Sequence, residues 1–163
     1  MPATETSEKA PDFVYVAYIA ADAQRVWSGL MDHDLTQQYW GRHNVSDWTV
    51  GASWKHQRPD GSGIVDIVGE VIEIEPPRKL VVTWAAPKDA EDANKVSRVT
   101  YLIEALGPDT RLTITHSDLE AGSDMHLDVT TGWPAVACNL KTLLETGKTL
   151  SEDAWPKEEG ART

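Results

Sequence analysis

The stretch DVTTGWPAVACNLKTLLETG, residues 128–147, is the longest helical pattern in the chain. Its large apolar residues recur at spacings of three and four, so they share one face of a helix. They are Trp133, Val136, Ala137, Leu140, Leu143 and Leu144. Pro134 is tolerated in the first turn of a helix, and Gly147 is a typical helix end. We therefore predict a long helix over 128–147 that covers the apolar face of a sheet.

Upstream of this helix the sequence alternates between short strand patterns and turns, with one helical hairpin near the start. The order strand, two helices, six strands and long helix predicts an α+β fold with an antiparallel sheet of about seven strands. We expect strands over 12–20, 45–49, 53–58, 64–75, 79–85, 96–106 and 111–119, and hairpin helices over 22–31 and 35–40.

Three of the predicted strands alternate between apolar and polar residues, which tells which side chains point inward. The inward sets are Leu80, Val82 and Trp84; Val99, Tyr101 and Ile103; and Leu112, Ile114 and His116. The longer connections gather at one end of the predicted sheet, together with the hairpin and the start of the long helix. Loops gathered in this way often surround a binding site, so we place its mouth at Trp40 and Trp133.

Composition excludes several classes of function. The net charge of −11, from 26 acidic and 15 basic residues, opposes binding to phosphate backbones, so we expect no nucleic-acid partner. A single cysteine, Cys138, fits a reducing compartment, and the polar N-terminal residues do not resemble a signal peptide. We expect a cytoplasmic protein without membrane insertion, with disordered tails over 1–11 and 151–163 around a single domain over 12–150.

Four stretches together resemble a known family: VWSGLMDHDLTQQYWG, VGEVIEIEPPRKLVVTW, SRVTYLIEALG with TRLTITHSDLE, and GWPAVACNLKTLLETG. They are similar to the START-like (SRPBCC, birch-pollen-allergen-like) superfamily, in the branch named after the activator of heat-shock-protein ATPase. The resemblance covers about residues 12–148. It implies the helix-grip fold, a strongly curved antiparallel sheet wrapped around a long C-terminal helix, with a cavity between them.

The candidate polar anchors of such a cavity are His116, Tyr101 and Glu70. His116 faces inward, where it either contacts a ligand or is satisfied by neighbouring groups within the core. In a regular strand Glu70 and Asp66 share parity with Ile64, Ile72 and Ile74, and a bulge at Gly69 would send Asp66 outward but keep Glu70 inward. Seven tryptophans against one phenylalanine indicate either a bulky core or a lined cavity. The full set of predicted ligand-binding residues is Trp40, Trp54, His56, Glu70, Trp84, Tyr101, His116, Trp133, Ala137 and Leu140.

These residues favour binding of a small hydrophobic or aromatic molecule, for transport, sensing or stress response, over catalysis. Two alternatives stay open: a cyclase or hydrolase that uses His116 with a cavity carboxylate, and an interaction module with a chaperone, a regulator or a second copy of the chain as partner. No metal-ligand spacing or phosphate-binding loop occurs in the sequence, so we expect no metal and no cofactor. We predict that Cys138 is a packing thiol, because no base stands at helical spacing to activate it.

Overall fold

The computed structural model describes residues 8–155, which form an antiparallel sheet of seven strands and three α-helices. The predicted α+β helix-grip fold is confirmed. The elements are β1 (Phe13–Ile19), α1 (Ala23–Met31), α2 (His33–Trp40), β2 (His43–Ser46), β3 (Ser53–Gln57), β4 (Val65–Glu75), β5 (Lys79–Trp84), β6 (Ser97–Leu106), β7 (Asp109–Ser117) and α3 (Asp124–Thr146).

The strands are arranged in the order β1-β7-β6-β5-β4-β3-β2, so each strand from β2 to β7 pairs with its neighbours in sequence and β1 closes the far edge. The three inward sets predicted from alternation are all buried. These sets form the apolar inner face of the curved sheet, and α3 lies against it together with the α1–α2 hairpin.

The long helix begins earlier than the sequence indicates. Ser123 caps it by accepting a hydrogen bond from the backbone N–H of His126, so the first turn forms at Asp124. Pro134 consequently lies inside the helix, and its predicted place in the first turn is wrong. The helix ends as expected at Gly147, which adopts a left-handed conformation with φ of 80°.

The C-terminal half of α3 packs closely against the rest of the molecule. Leu140 is 1% exposed, and a Cβ added at Gly29 in α1 would lie 2.9 Å from the Leu140 Cδ1 atom. A void of about 10 Å³ between α1 and the sheet has room for about one water molecule. The space under this half of the helix is therefore filled by side chains.

Parts of both predicted tails contact the folded domain. The N–H of Ala10 donates to the Leu119 carbonyl at 2.8 Å, and Leu150 donates to the side chain of Asn139 at 2.7 Å. The chain after α3 thus turns back along the helix and brings Trp155 into partial burial against the core. The disorder predicted for the two tails stays a prediction, and residues 1–7 and 156–163 lie outside the described residues. The domain boundaries stay a prediction.

Candidate functional site

An open cleft of about 690 Å³ lies between the N-terminal half of α3, the end of α2 and strands β3 to β5. Of the predicted ligand-binding residues, Trp40, His56, Trp84 and Trp133 line it. The predicted mouth residues Trp40 and Trp133 are thus brought together, with ring centroids 5.3 Å apart. The cleft lies where the long connections converge, as expected from the loop lengths.

The bottom of the cleft is an aromatic floor made of Trp40, His56, Trp84 and Trp133. Trp84 lies 6.1 Å from Trp40 and 5.5 Å from Trp133, measured between ring centroids, and His56 lies 4.7 Å from Trp40. Strand alternation directs His56 and Trp84 inward, and the left-handed Gly41 ends α2 with Trp40 on its last turn. Flat rings in contact with one another present a broad apolar surface.

Two nitrogen atoms of this floor have no hydrogen-bond partner within residues 8–155. The Nδ1 atom of His56 lies 2.6 Å from the side-chain oxygen of Asn44, so it carries the proton and leaves Nε2 as an acceptor. Burial lowers the pKa of His56 to about 3, so the ring is neutral at physiological pH. The buried indole N–H of Trp84 also lacks an acceptor. A buried donor left unpaired costs roughly 1–3 kcal/mol, so the floor favours a polar partner.

His116 lies below the floor and is fully hydrogen-bonded. The indole N–H of Trp133 donates to His116 Nδ1 at 3.0 Å, which fixes the proton on Nε2. That atom donates to the Ser97 hydroxyl at 2.8 Å, and Ser97 in turn donates to the Trp84 carbonyl. Burial lowers the pKa of His116 to about 3. Of the two roles considered from the sequence, the structure therefore favours a satisfied core residue that joins α3 to the sheet.

The other predicted residues do not line the cleft. Trp54, Tyr101, Ala137 and Leu140 are buried in the packed layer beneath or beside it. Glu70 is exposed on the opposite face of the sheet, so its predicted inward orientation is wrong. The cyclase or hydrolase alternative needs His116 and a cavity carboxylate together, and the structure places His116 and Glu70 on opposite faces.

The register of β4 explains the error at Glu70. Trp54 pairs with Gly69, and both face inward, so the next residue in the strand faces outward. The bulge expected at Gly69 lies instead at Ile72, where the register with β5 shifts by one residue. A second shift leaves Asp66 without a partner in β3, and its side chain lines the cleft.

Asp66 joins two arginines in a polar wall on the sheet side of the cleft. Its carboxylate accepts from Arg42 Nε at 2.7 Å and from both Nε and Nη2 of Arg58 at 3.0 and 2.9 Å. The hydrogen bonds from Arg58, with those from Arg42, hold the pKa of Asp66 below its usual range. The sequence analysis missed both arginines, although Arg42 follows a predicted helix and Arg58 ends a predicted strand, both where the long loops gather.

The opposite rim carries α3 residues and part of the C-terminal segment. Asp124 and Asp128 are exposed one turn apart on the helix, and Trp155 completes the lining. Among the described residues, no group of three or more side chains has the arrangement of a metal site. Cys138 is exposed, with its sulfur 3.3 Å from the Tyr15 hydroxyl, so the prediction of a packing thiol is wrong.

A curved antiparallel sheet that holds a long C-terminal helix, with a cleft between them, defines a START-like protein of the helix-grip type. The sequence matches the family model "Activator of Hsp90 ATPase homolog 1-like protein" over residues 20–145, most of its length. The chain therefore belongs to this family, which confirms the resemblance found in the sequence. A comparison with curated proteins found no match.

Several solved structures share the fold. The Aha1 dimer from Colwellia psychrerythraea is 20% identical, with a TM-score of 0.69 over 85% of this chain and 99% of the other. CalU16 from Micromonospora echinospora is 20% identical, with a TM-score of 0.66 over 92% and 89%. An HSP90 activator from Plasmodium falciparum is 23% identical, with a TM-score of 0.57 over 70% and 77%. At these identities the likeness establishes the fold.

The family and the fold fit a ligand-binding or chaperone-associated module in general terms. No helix within residues 8–155 is long and apolar enough to cross a membrane. The cytoplasmic location and the absence of a nucleic-acid partner stay predictions.

Proposed function

We propose that the protein binds a small aromatic molecule on the aromatic floor of the cleft. The observation that carries this proposal is the combination of an open volume of about 690 Å³ with a base of contacting aromatic rings, of which Trp40 is half-buried and Trp84 and Trp133 are buried. The cleft volume lies within the range of about 300–1,000 Å³ typical of small-molecule sites. The ligand would lie at the mouth, over the N-terminal half of α3, and not under Leu140.

The polar anchors differ from those expected from the sequence. His56 Nε2 is available as an acceptor, whereas both nitrogens of His116 are already bonded. A hydroxyl on the ligand would donate to His56, and a ligand acceptor would satisfy the indole N–H of Trp84 after a small shift of the rings. Burial of roughly 200 Å² of apolar surface contributes about 5 kcal/mol at about 25 cal/mol per Å². With these hydrogen bonds, micromolar affinity is attainable.

Naphthol is a suitable probe, because it has two flat rings and one hydroxyl. We expect it to quench the intrinsic tryptophan fluorescence saturably and to raise the melting temperature. Trp40→Ala removes one ring of the floor and should weaken naphthol binding about tenfold, since a stacked ring contributes roughly 1–2 kcal/mol. Trp48→Ala is the matched control, because Trp48 is also half-buried but lies outside the cleft.

Equal naphthol affinity in the two variants would place the ligand elsewhere. Absence of both quenching and stabilisation in the wild-type protein would refute an aromatic-binding cleft.

A second candidate function is an interaction module with a chaperone or a second copy of the chain. Its support is the family, the relatives described as a dimer and as an HSP90 activator, and an apolar strip on the outer face of the edge strand β1. Val14, Val16 and Tyr18 in this strip are 54%, 45% and 57% exposed. Sedimentation over a broad concentration range tests self-association, and Val16→Lys should abolish any dimer formed through the strip.

A further inference from the structure

The polar wall of the cleft carries an excess positive charge. The guanidinium groups of Arg42 and Arg58 each carry a positive charge, and Asp66 carries a negative charge because both arginines donate to it. The three side chains therefore sum to +1 within a chain whose net charge is −11. Since each arginine side chain is 33% exposed, this charge is accessible from the cleft.

Both arginines retain unused donors. Arg42 uses Nε for Asp66 and Nη1 for the Gly41 carbonyl, which leaves Nη2 without an acceptor within residues 8–155. Arg58 uses Nε and Nη2 for Asp66, so its Nη1 also has no acceptor within residues 8–155. The shared carboxylate fixes both guanidinium planes, so a further anion would be bound with little loss of side-chain entropy.

These donors lie next to the aromatic floor. Arg42 follows Trp40 by two residues across the end of α2, and Arg58 follows His56 by two residues at the end of β3. All four residues line the same cleft. We propose that the ligand is an aromatic carboxylate, with its ring on the floor and its carboxylate hydrogen-bonded to Arg42 and Arg58. This inference rests on the proposed function and adds the charge of the ligand to it.

The opposite wall determines the orientation of the ligand. Asp124 and Asp128 are exposed on α3 across the cleft from the arginines, so the whole lining has two arginines against three carboxylates, and the helix side repels an anion. The carboxylate of the ligand therefore lies on the sheet side, and an uncharged end of the ring system faces α3. Asp124→Asn should strengthen binding of an aromatic carboxylate by a factor of about two, because the repulsion acts through water.

Naphthoate and naphthamide form a matched pair of probes, equal in shape and different in charge. We expect naphthoate to bind the wild-type protein about tenfold more tightly than naphthamide, since hydrogen bonds to a charged group are about twice as strong as neutral ones. Titration of tryptophan fluorescence measures both affinities. The preference should decrease as the salt concentration increases.

Arg58→Gln should remove most of this preference and leave the affinity for naphthamide within about twofold of wild type. Retained naphthamide binding shows that the variant is folded. Arg98→Gln is the control, because Arg98 carries the same charge on the exposed outer face of β6. The inference is overturned if wild-type protein binds naphthamide as tightly as naphthoate, or if Arg98→Gln reduces the preference as much as Arg58→Gln. If neither probe binds, the proposed function itself fails.

Discussion

The two halves of α3 meet the same sheet in different ways. Along the C-terminal half, branched aliphatic side chains pack against α1, and Leu140 fills the space left by the missing side chain of Gly29. Along the N-terminal half, Trp133 contacts other rings, and an open cleft remains beside them. The C-terminal half therefore meets its neighbours through interdigitated aliphatic side chains, whereas the N-terminal half meets the sheet through aromatic rings beside an open volume.

Two glycines test how tightly different parts of the molecule are packed, Gly69 in the sheet and Gly132 in the N-terminal half of α3. Gly69 faces the packed layer, and a Cβ added there would lie 1.9 Å from the Thr83 carbonyl oxygen and 2.3 Å from the indole nitrogen of Trp54. These two atoms also share a hydrogen bond of 2.8 Å, so neither can move freely. We expect Gly69→Ala to destabilise the protein by more than about 4 kcal/mol, measured by urea denaturation.

The control is Gly132→Ala, which adds the same methyl group where the structure is open. If Gly69→Ala unfolds cooperatively at a urea concentration near that of wild type, the packed layer beneath the cleft is looser than the contacts indicate.

The part of the fold predicted correctly from the sequence depends on local periodicity. The spacing of Leu140, Leu143 and Leu144 identifies the buried face of α3, and strict alternation identifies the inward face of β5 to β7. The start of α3 was predicted too late, although Met125, Val129 and Trp133 recur at a spacing of four behind the capping residue Ser123. The local pattern therefore carried the first turns of the helix, and the prediction from Asp128 onward missed them.

The two buried histidines differ in how many of their ring nitrogens are hydrogen-bonded. His116 is bonded at both nitrogens in the packed layer, whereas His56 at the cleft floor is bonded at one. Each has its pKa lowered from about 6.5 to about 3 by burial. Protonation therefore favours the unfolded state, so the contribution of each residue to stability is complete above pH 6.5 and decreases as the pH falls towards 3.

From pH 7 to pH 5 each of these histidines should lower the free energy of unfolding by about 2 kcal/mol. We expect His56→Gln to reduce the total loss over this range by that amount, because glutamine does not titrate. Urea denaturation at the two pH values measures the difference, and the exposed His33→Gln is the control. An unchanged pH dependence in His56→Gln would mean that His56 is open to solvent in the folded protein.

The cleft was only partly predictable. Loop lengths predicted that Trp40 and Trp133 lie at its mouth, whereas they form part of its floor, and Arg42, Arg58 and Asp66 were not expected together. Their proximity depends on the register shift between β3 and β4, which leaves Asp66 of β4 without a partner in β3. A bulge depends on how two strands pair, and neither strand alone carries that information. The contribution of Trp155 was missed for a similar reason, since its position depends on the hydrogen bond between Leu150 and Asn139.

The smallest expected effect is a stabilisation, produced by a substitution in the N-terminal half of α3 beside the cleft. Gly132 is inside α3 and lines the cleft, and an added Cβ would meet no atom within 4 Å. Glycine inside a helix costs roughly 0.5–1 kcal/mol relative to alanine, because it loses more backbone entropy on folding. Gly132→Ala should therefore stabilise the protein by about that amount in urea denaturation and leave naphthol affinity within about twofold. A loss of stability would show that the N-terminal half of α3 is packed as tightly as the C-terminal half.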